Sequence, residues 1–178
     1  MSFGEAIKSV FSKYATFSGR ARRSEFWYFY LFNILVSIGL SILGRAVTSL
    51  SFLSSLYSLA ILIPSLAVAV RRFHDIGKSG WTYLYILIPS MLYLGYLMYF
   101  IFTVVAPYHS EGYEMNAELV KQLLAENSSS LAIMGILILI SLIASIIFIV
   151  WMARDSEPGE NKWGPNPKEQ PEIINNTL

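Results

Sequence analysis

Four long uncharged stretches alternate with short polar blocks along the chain. About 20 helical residues are needed to cross the hydrocarbon core of a bilayer. The stretches therefore predict membrane-spanning helices over residues 26–44, 52–70, 81–105 and 131–152. Strands of a membrane barrel would instead alternate over segments of about ten residues. The predicted fold class is all-α, a polytopic membrane protein built as a four-helix transmembrane bundle.

The segment before the first span has a helical pattern of its own. Its apolar residues recur every three to four positions on one helical face, and they are Phe3, Ile7, Val10, Phe11 and Tyr14. Lys8 and Lys13 fall largely elsewhere. The pattern predicts an N-terminal amphipathic helix lying at the membrane interface. A small soluble helix packed on the loops is the alternative that the pattern leaves open.

Composition supports a chain solvated by lipid. Of the 178 residues, 54% are hydrophobic and 14% charged, whereas soluble domains carry about 25% charged residues. The mean hydropathy is +0.51. A net charge of +1 argues against a nucleic-acid partner, and the lack of Cys excludes disulfides and thiolate chemistry. We expect a single membrane domain over residues 1–178.

The basic residues predict the orientation, because Lys and Arg accumulate in cytoplasmic segments. Those assigned to one side are Lys8, Lys13, Arg20, Arg22, Arg23, Arg71, Arg72, Lys78, Arg154, Lys162 and Lys168. The other side has only Arg45 and Lys121. We therefore expect both termini and the tail 153–178 in the cytoplasm, with the acidic loop 106–130 outside. The first span is too long for the core of a signal peptide and is expected to be retained.

Three polar blocks fall on the predicted cytoplasmic face: FSGRARRSEFW at 17–27, RRFHDIGKSGW at 71–81 and PGENKWGPNP at 158–167. In this order, separated by four spans, they resemble the bacterial inner-membrane family named "domain of unknown function 805" (YhaH/YhaI-like). The resemblance covers nearly the whole chain, although the loop 106–130 is longer than expected for that family. It implies a small multi-pass inner-membrane protein without an assigned biochemical role, and it supplies no catalytic residues.

The blocks contain the candidates for binding an anion or a lipid headgroup, which are Arg20, Arg22, Arg23, Arg71, Arg72, His74 and Lys78. If the first span begins near Ser18 as N-cap, its arginines lie in the first helical turns, where the helix dipole disfavours cations. Attraction to anionic lipid is one explanation for them. A bound phosphate held by planar guanidinium groups is the other.

Other site chemistry is limited. Glu25 is the predicted ion-pair partner of Arg71 or Arg72, while Asp75 is interpreted as a turn residue. The two histidines, His74 and His109, fall on opposite sides of the membrane, so no metal site is expected. Gly77-Lys78-Ser79 matches the end of a P-loop, but a transmembrane helix precedes it where a strand is required. No catalytic residues or cofactors are predicted.

Two functional hypotheses follow from these patterns. In the first, a non-enzymatic membrane protein uses its basic cytoplasmic face to engage an anionic lipid headgroup or a similar phosphate. In the second, a structural or regulatory subunit binds a membrane protein partner, and its arginines pair only with Glu25, Asp75 and acids of the tail. A transporter or a lipid enzyme is less favoured, because no polar path crosses the spans. Homo-oligomerisation is left open. In either case we expect the three blocks to converge in space.

Overall fold

The structure, a computed structural model, describes residues 1–107 and 116–169. Within these ranges the chain is helical, and its only β-type pairing is an isolated bridge between Asn161 and Gly164. The chain divides into two compact units. Unit 1 comprises Met1–Tyr83 and Val150–Leu178, and unit 2 comprises Leu84–Ile149.

Unit 1 contains three helices and the polar blocks. They are α1 (Phe3–Ser12), α2 (Arg23–Ala46) and α3 (Phe52–Asp75), with 3-10 turns at Thr48–Leu50 and Gly80–Tyr83. A tight turn joins α2 to α3, and glycine at position 44 permits the close approach there, since a Cβ would lie 3.1 Å from the Ser51 Cα. Between the same two helices, the Tyr57 hydroxyl of α3 donates to Asn33 Oδ1 of α2 (2.6 Å). Asn33 therefore forms a hydrogen bond with a neighbouring helix, as polar side chains in membrane helices commonly do.

Helix α1 packs on the start of α2. A capping box begins it, in which Ser2 accepts from the Glu5 amide and Glu5 accepts from the Ser2 amide. Ala6 and Val10 are buried, and the Phe11 ring meets Phe29 edge to face at 5.8 Å. The predicted N-terminal helix is thus present, and one of its sides is packed against the protein.

Unit 2 is built from α4 (Leu84–Phe100), a π-helical turn (Ile101–Val105), α5 (Ala117–Glu126) and the larger part of α6 (Ser128–Ala153). Helix α5 lies within the predicted outer loop and was not expected from the sequence. Asn116 caps it by accepting from the Leu119 amide (2.9 Å). His109 lies outside the described residues.

Four helical segments of the described chain are long and apolar enough to cross a membrane. They are Arg23–Ala46, Thr48–Asp75, Gly80–Val105 and Ser128–Ala153, so a helix is confirmed at each of the four predicted stretches, with ends that extend by up to five residues. Large apolar side chains remain exposed along them, as at Leu59 (72%) and Phe102 (66%). Side chains of this kind are stable facing lipid and unfavourable facing water.

Candidate functional site

The three polar blocks meet at one end of unit 1, as predicted, and Arg20 joins them. Its Nε donates to Asp75 Oδ1 (3.0 Å). Its Nη1 donates to the carbonyls of Gly159 (2.7 Å) and Gly164 (3.3 Å), and its Nη2 donates to the Glu157 carbonyl (2.5 Å). A single buried guanidinium therefore binds the end of α3 and the tail together, although the sequence separates Arg20 from Gly164 by 144 positions.

Asp75 is the buried acceptor at the centre of this arrangement. Besides Arg20, it accepts from Arg72 Nη1 and from the Ser156 hydroxyl (2.7 Å), and its side chain is fully buried. The remaining donors of Arg72 go to the carbonyls of Met152 (3.2 Å) and Arg154. Since a buried charge is costly without a partner, Asp75 is required by both arginines.

The sequence predicts Asp75 as a turn residue, and as a partner of the arginines only within the second functional hypothesis; its position as the shared acceptor of Arg20 and Arg72 comes from the structure. The spacing of Arg72 and Asp75, three residues apart on one helix, is the available signal. The partners at the end of α6 and in the tail cannot be recognised in the sequence, since most of them are backbone carbonyls.

A second buried pair joins Glu25 to Arg71. Arg71 Nη1 donates to Glu25 Oε1 (2.8 Å), and the Ser9 hydroxyl of α1 donates to the same oxygen (3.2 Å). The Arg71 carbonyl accepts from the Ala21 amide (3.0 Å). Arg72 points away from Glu25, because neighbouring helical residues lie about 100° apart around the axis. We call Arg20, Glu25, Arg71, Arg72 and Asp75 the arginine cluster.

The start of α2 differs from the expectation. The helix begins at Arg23 with Arg22 in extended conformation as its N-cap, so Ser18 is not the cap. Gly19, with φ +83°, turns the chain in a conformation that favours glycine. Arg22 Nε donates to the Pro167 carbonyl (2.7 Å). Of the three arginines, only Arg23 lies in the helix and bears the unfavourable dipole interaction, and its side chain is exposed.

His74 and Lys78 also contact the protein itself. The His74 ring stacks on Trp163 at 4.5 Å, and its Nδ1 lies 3.1 Å from the Gly19 carbonyl. Lys78 Nζ lies 4.7 Å above the Trp151 ring, within cation–π range. Trp163 is therefore one of the tail residues that pack on the end of α3, together with Ser156 and Asn161.

The segment Gly77-Lys78-Ser79 ends a helix and does not cradle phosphate. The Gly77 amide donates to the His74 carbonyl (3.2 Å) and the Lys78 amide to the Phe73 carbonyl (2.9 Å), as at a helix C-terminus. Gly77 has φ +75°, and a Cβ there would meet Glu157 Oε2 at 2.8 Å. Because the amides of Gly77 and Lys78 are already used within the chain, they are not free to bind a nucleotide phosphate.

The chemistry available at this end of unit 1 is electrostatic. Three buried arginines and two buried carboxylates hold four chain segments together. Across residues 1–107 and 116–169, no three His, Asp or Glu side chains are grouped as a metal site requires.

The helices and their exposed apolar surfaces define an all-α, multi-pass integral membrane protein. The chain matches the family model described as "Protein of unknown function (DUF805)" over residues 14–112. It is 34% identical over 167 residues to the inner membrane protein YhaH of Escherichia coli (strain K12), covering 91% of this chain and 95% of YhaH. The chain therefore belongs to the DUF805 family.

A second similar protein is the inner membrane protein YhaI of Escherichia coli (strain K12). It is 41% identical over 93 residues, covering 52% of this chain and 79% of YhaI. No solved structure matches the chain significantly. With four candidate spans and relatives named as inner membrane proteins, the chain is a bacterial inner-membrane protein.

Proposed function

We propose that the protein is a non-catalytic membrane protein whose cytoplasmic face engages anionic lipid headgroups. The observation that carries the proposal is a division among its cations. Arg20, Arg22 and Arg72 donate to acceptors of the same chain, whereas Lys8, Lys13 and Arg23 have exposed side chains. The former hold the face together, and the latter are available to lipid phosphates.

The position of α1 supports this proposal. Its buried residues attach it to α2, yet Phe3, Phe11 and Phe17 in and after it remain about 40% exposed, at 39%, 41% and 42%. Exposed aromatic rings beside lysines are typical of a segment at the headgroup level of a membrane. Phosphates of an anionic leaflet attract such lysines, and salt weakens this attraction.

Replacing the three exposed cations should reduce lipid selectivity. For the variant with Lys8→Gln, Lys13→Gln and Arg23→Gln, we expect the preference for phosphatidylglycerol over neutral lipid to fall at least about ten-fold at low salt. Native mass spectrometry of lipids retained by the purified protein measures this preference. A matched control carries Arg45→Gln and Lys121→Gln, which lie on the side predicted to be outside. Equal losses in both variants would contradict the proposal.

The arginine cluster favours a second candidate, a structural or regulatory subunit that binds a membrane protein partner. Its arginines are engaged with the chain's own acids and carbonyls, which suits a rigid docking surface. Crosslinking in native membranes distinguishes the candidates. A single stoichiometric protein neighbour without selective lipid supports the subunit, and selective lipid without such a neighbour supports the headgroup proposal.

Both candidates require the arginine cluster to lie on the cytoplasmic side. Because the chain lacks Cys, single cysteines introduced at Ser2, Glu118 and Glu160 can be labelled with an impermeant thiol reagent in cells whose outer membrane has been permeabilised. The excess of Lys and Arg around the cluster predicts reaction at position 118 only. Labelling at position 2 or 160 while the inner membrane is intact would contradict the predicted orientation. Labelling after lysis shows that each cysteine is reactive.

A further inference from the structure

Arg71 has an unusual hydrogen-bonding state. Its side chain is 1% exposed, and only Nη1 is engaged, with Glu25. Nε and Nη2 are closed to solvent and have no hydrogen-bond partner among the described residues. Buried arginine nitrogens are almost always paired, because an unpaired donor loses its water without replacement.

The two unpaired nitrogens form one edge of the guanidinium. Their N–H bonds point in nearly the same direction, which is the fork that binds the two oxygens of a carboxylate or a phosphate at once. Two donors left open on different sides would suit separate water molecules. A complete open fork instead suits one oxyanion.

The charge balance around Arg71 points the same way. The buried charged side chains of the arginine cluster are three arginines and two carboxylates. Asp75 lies between Arg20 and Arg72, so the surplus positive charge is shared by three groups of which Arg71 alone has donors to spare. An anion at the fork would neutralise this surplus, and a water molecule would not.

We propose that the Nε and Nη2 fork of Arg71 is a binding site for one phosphate group. Ser9 of α1 donates to the same Glu25 oxygen as Arg71 Nη1, so the engaged edge of the guanidinium is occupied and only the opposite edge is open to a ligand. The inference deepens the proposed function, on which it rests for the anionic lipid as one source of the phosphate; free inorganic phosphate is the other source. Unlike the exposed lysines, this buried site should hold its ligand at high salt.

The test begins with the unmodified full-length protein in detergent. Inorganic phosphate should raise its unfolding temperature in a saturable manner beyond the effect of chloride at equal ionic strength. At high salt, native mass spectrometry should show one retained phosphatidylglycerol and no retained diacylglycerol of the same acyl chains. Either response supports the site, and the pattern of the two identifies the source. Absence of both overturns the proposal.

Arg71→Lys then isolates the fork. Lysine keeps the positive charge and a donor for Glu25 but lacks the paired N–H groups, so phosphate or phosphatidylglycerol binding should weaken about ten-fold or more. The matched control is Arg45→Lys, at the exposed opposite end of α2, which should bind as the unmodified protein does. Unchanged binding by Arg71→Lys overturns the proposal. If only the proposed function fails, the variant lacking Lys8, Lys13 and Arg23 will show unchanged lipid selectivity at low salt. Binding of phosphate or phosphatidylglycerol at high salt will then still depend on Arg71.

Discussion

Replacing Asp75 with Asn should destabilise the protein more than any other single change of charge in the described chain. Asn keeps the size of the side chain but removes the negative charge that faces Arg20 and Arg72, both of them buried. Removing one member of a buried ion pair costs about 3 to 5 kcal/mol, and here two arginines lose their counter-charge. Thermal unfolding in detergent, followed by tryptophan fluorescence, should show a midpoint lowered by roughly 10 °C or more.

The matched control for this prediction is Asp155→Asn. Asp155 pairs with Lys168 at the surface, with side-chain exposures of 61% and 37%. The hydrogen bond from Lys168 holds the pKa of the Asp155 carboxyl below its ordinary value, so the control also removes a full negative charge. Exposed pairs contribute little to stability. Similar midpoints for the two variants would show that Asp75 is not the electrostatic centre of the cluster.

Glu25→Gln should give the second large effect. Glu25 is 3% exposed and accepts from both Arg71 and Ser9, so the change leaves Arg71 without its counter-charge. We expect a loss of about 3 kcal/mol in the free energy of unfolding, measured by thermal unfolding in phosphate-free buffer. Glu160→Gln, at an exposed position of the tail, is the matched control.

A double variant makes the test of Glu25 sharper. Adding Arg71→Gln to Glu25→Gln removes both buried charges, so part of the lost stability should return if the two residues act as a pair. A double variant less stable than either single variant would mean that Glu25 and Arg71 contribute separately. In that case the ion pair does not hold α1 and α2 to α3.

The spans were accessible from sequence because a bilayer imposes a length on any helix that crosses it. The prediction of 52–70 agrees with α3 at Phe52, and the structure continues the helix through the polar residues as far as Asp75. Hydropathy does not reveal that extension, since four of the five residues from Arg71 to Asp75 are charged or polar. The continuation decides the site, because it places Arg72 and Asp75 on one helix, which ends just before Ile76 and Gly77.

The candidate site was predicted as a set of residues and not as a set of contacts. The blocks and their basic residues stand out from a chain with so few charges, and Glu25 is the only acid beside the first span. The partners of Arg20 could not be found in this way. Three of them are the carbonyls of Glu157, Gly159 and Gly164, and every residue of a protein has a carbonyl.

The sequence by itself determined the class of the protein, the number of spans and the family, because the hydrophobic thickness of a bilayer and the three blocks are written in residue order. The tertiary structure alone decided how the arginines are used. Arg71 and Arg72 are adjacent in sequence, yet one faces Glu25 with an open fork and the other is saturated by Asp75 and the end of α6. That difference arises because neighbouring helical residues point about 100° apart. The partners of Arg72 at the end of α6 lie about 80 positions away in sequence and reach it only when the chain folds.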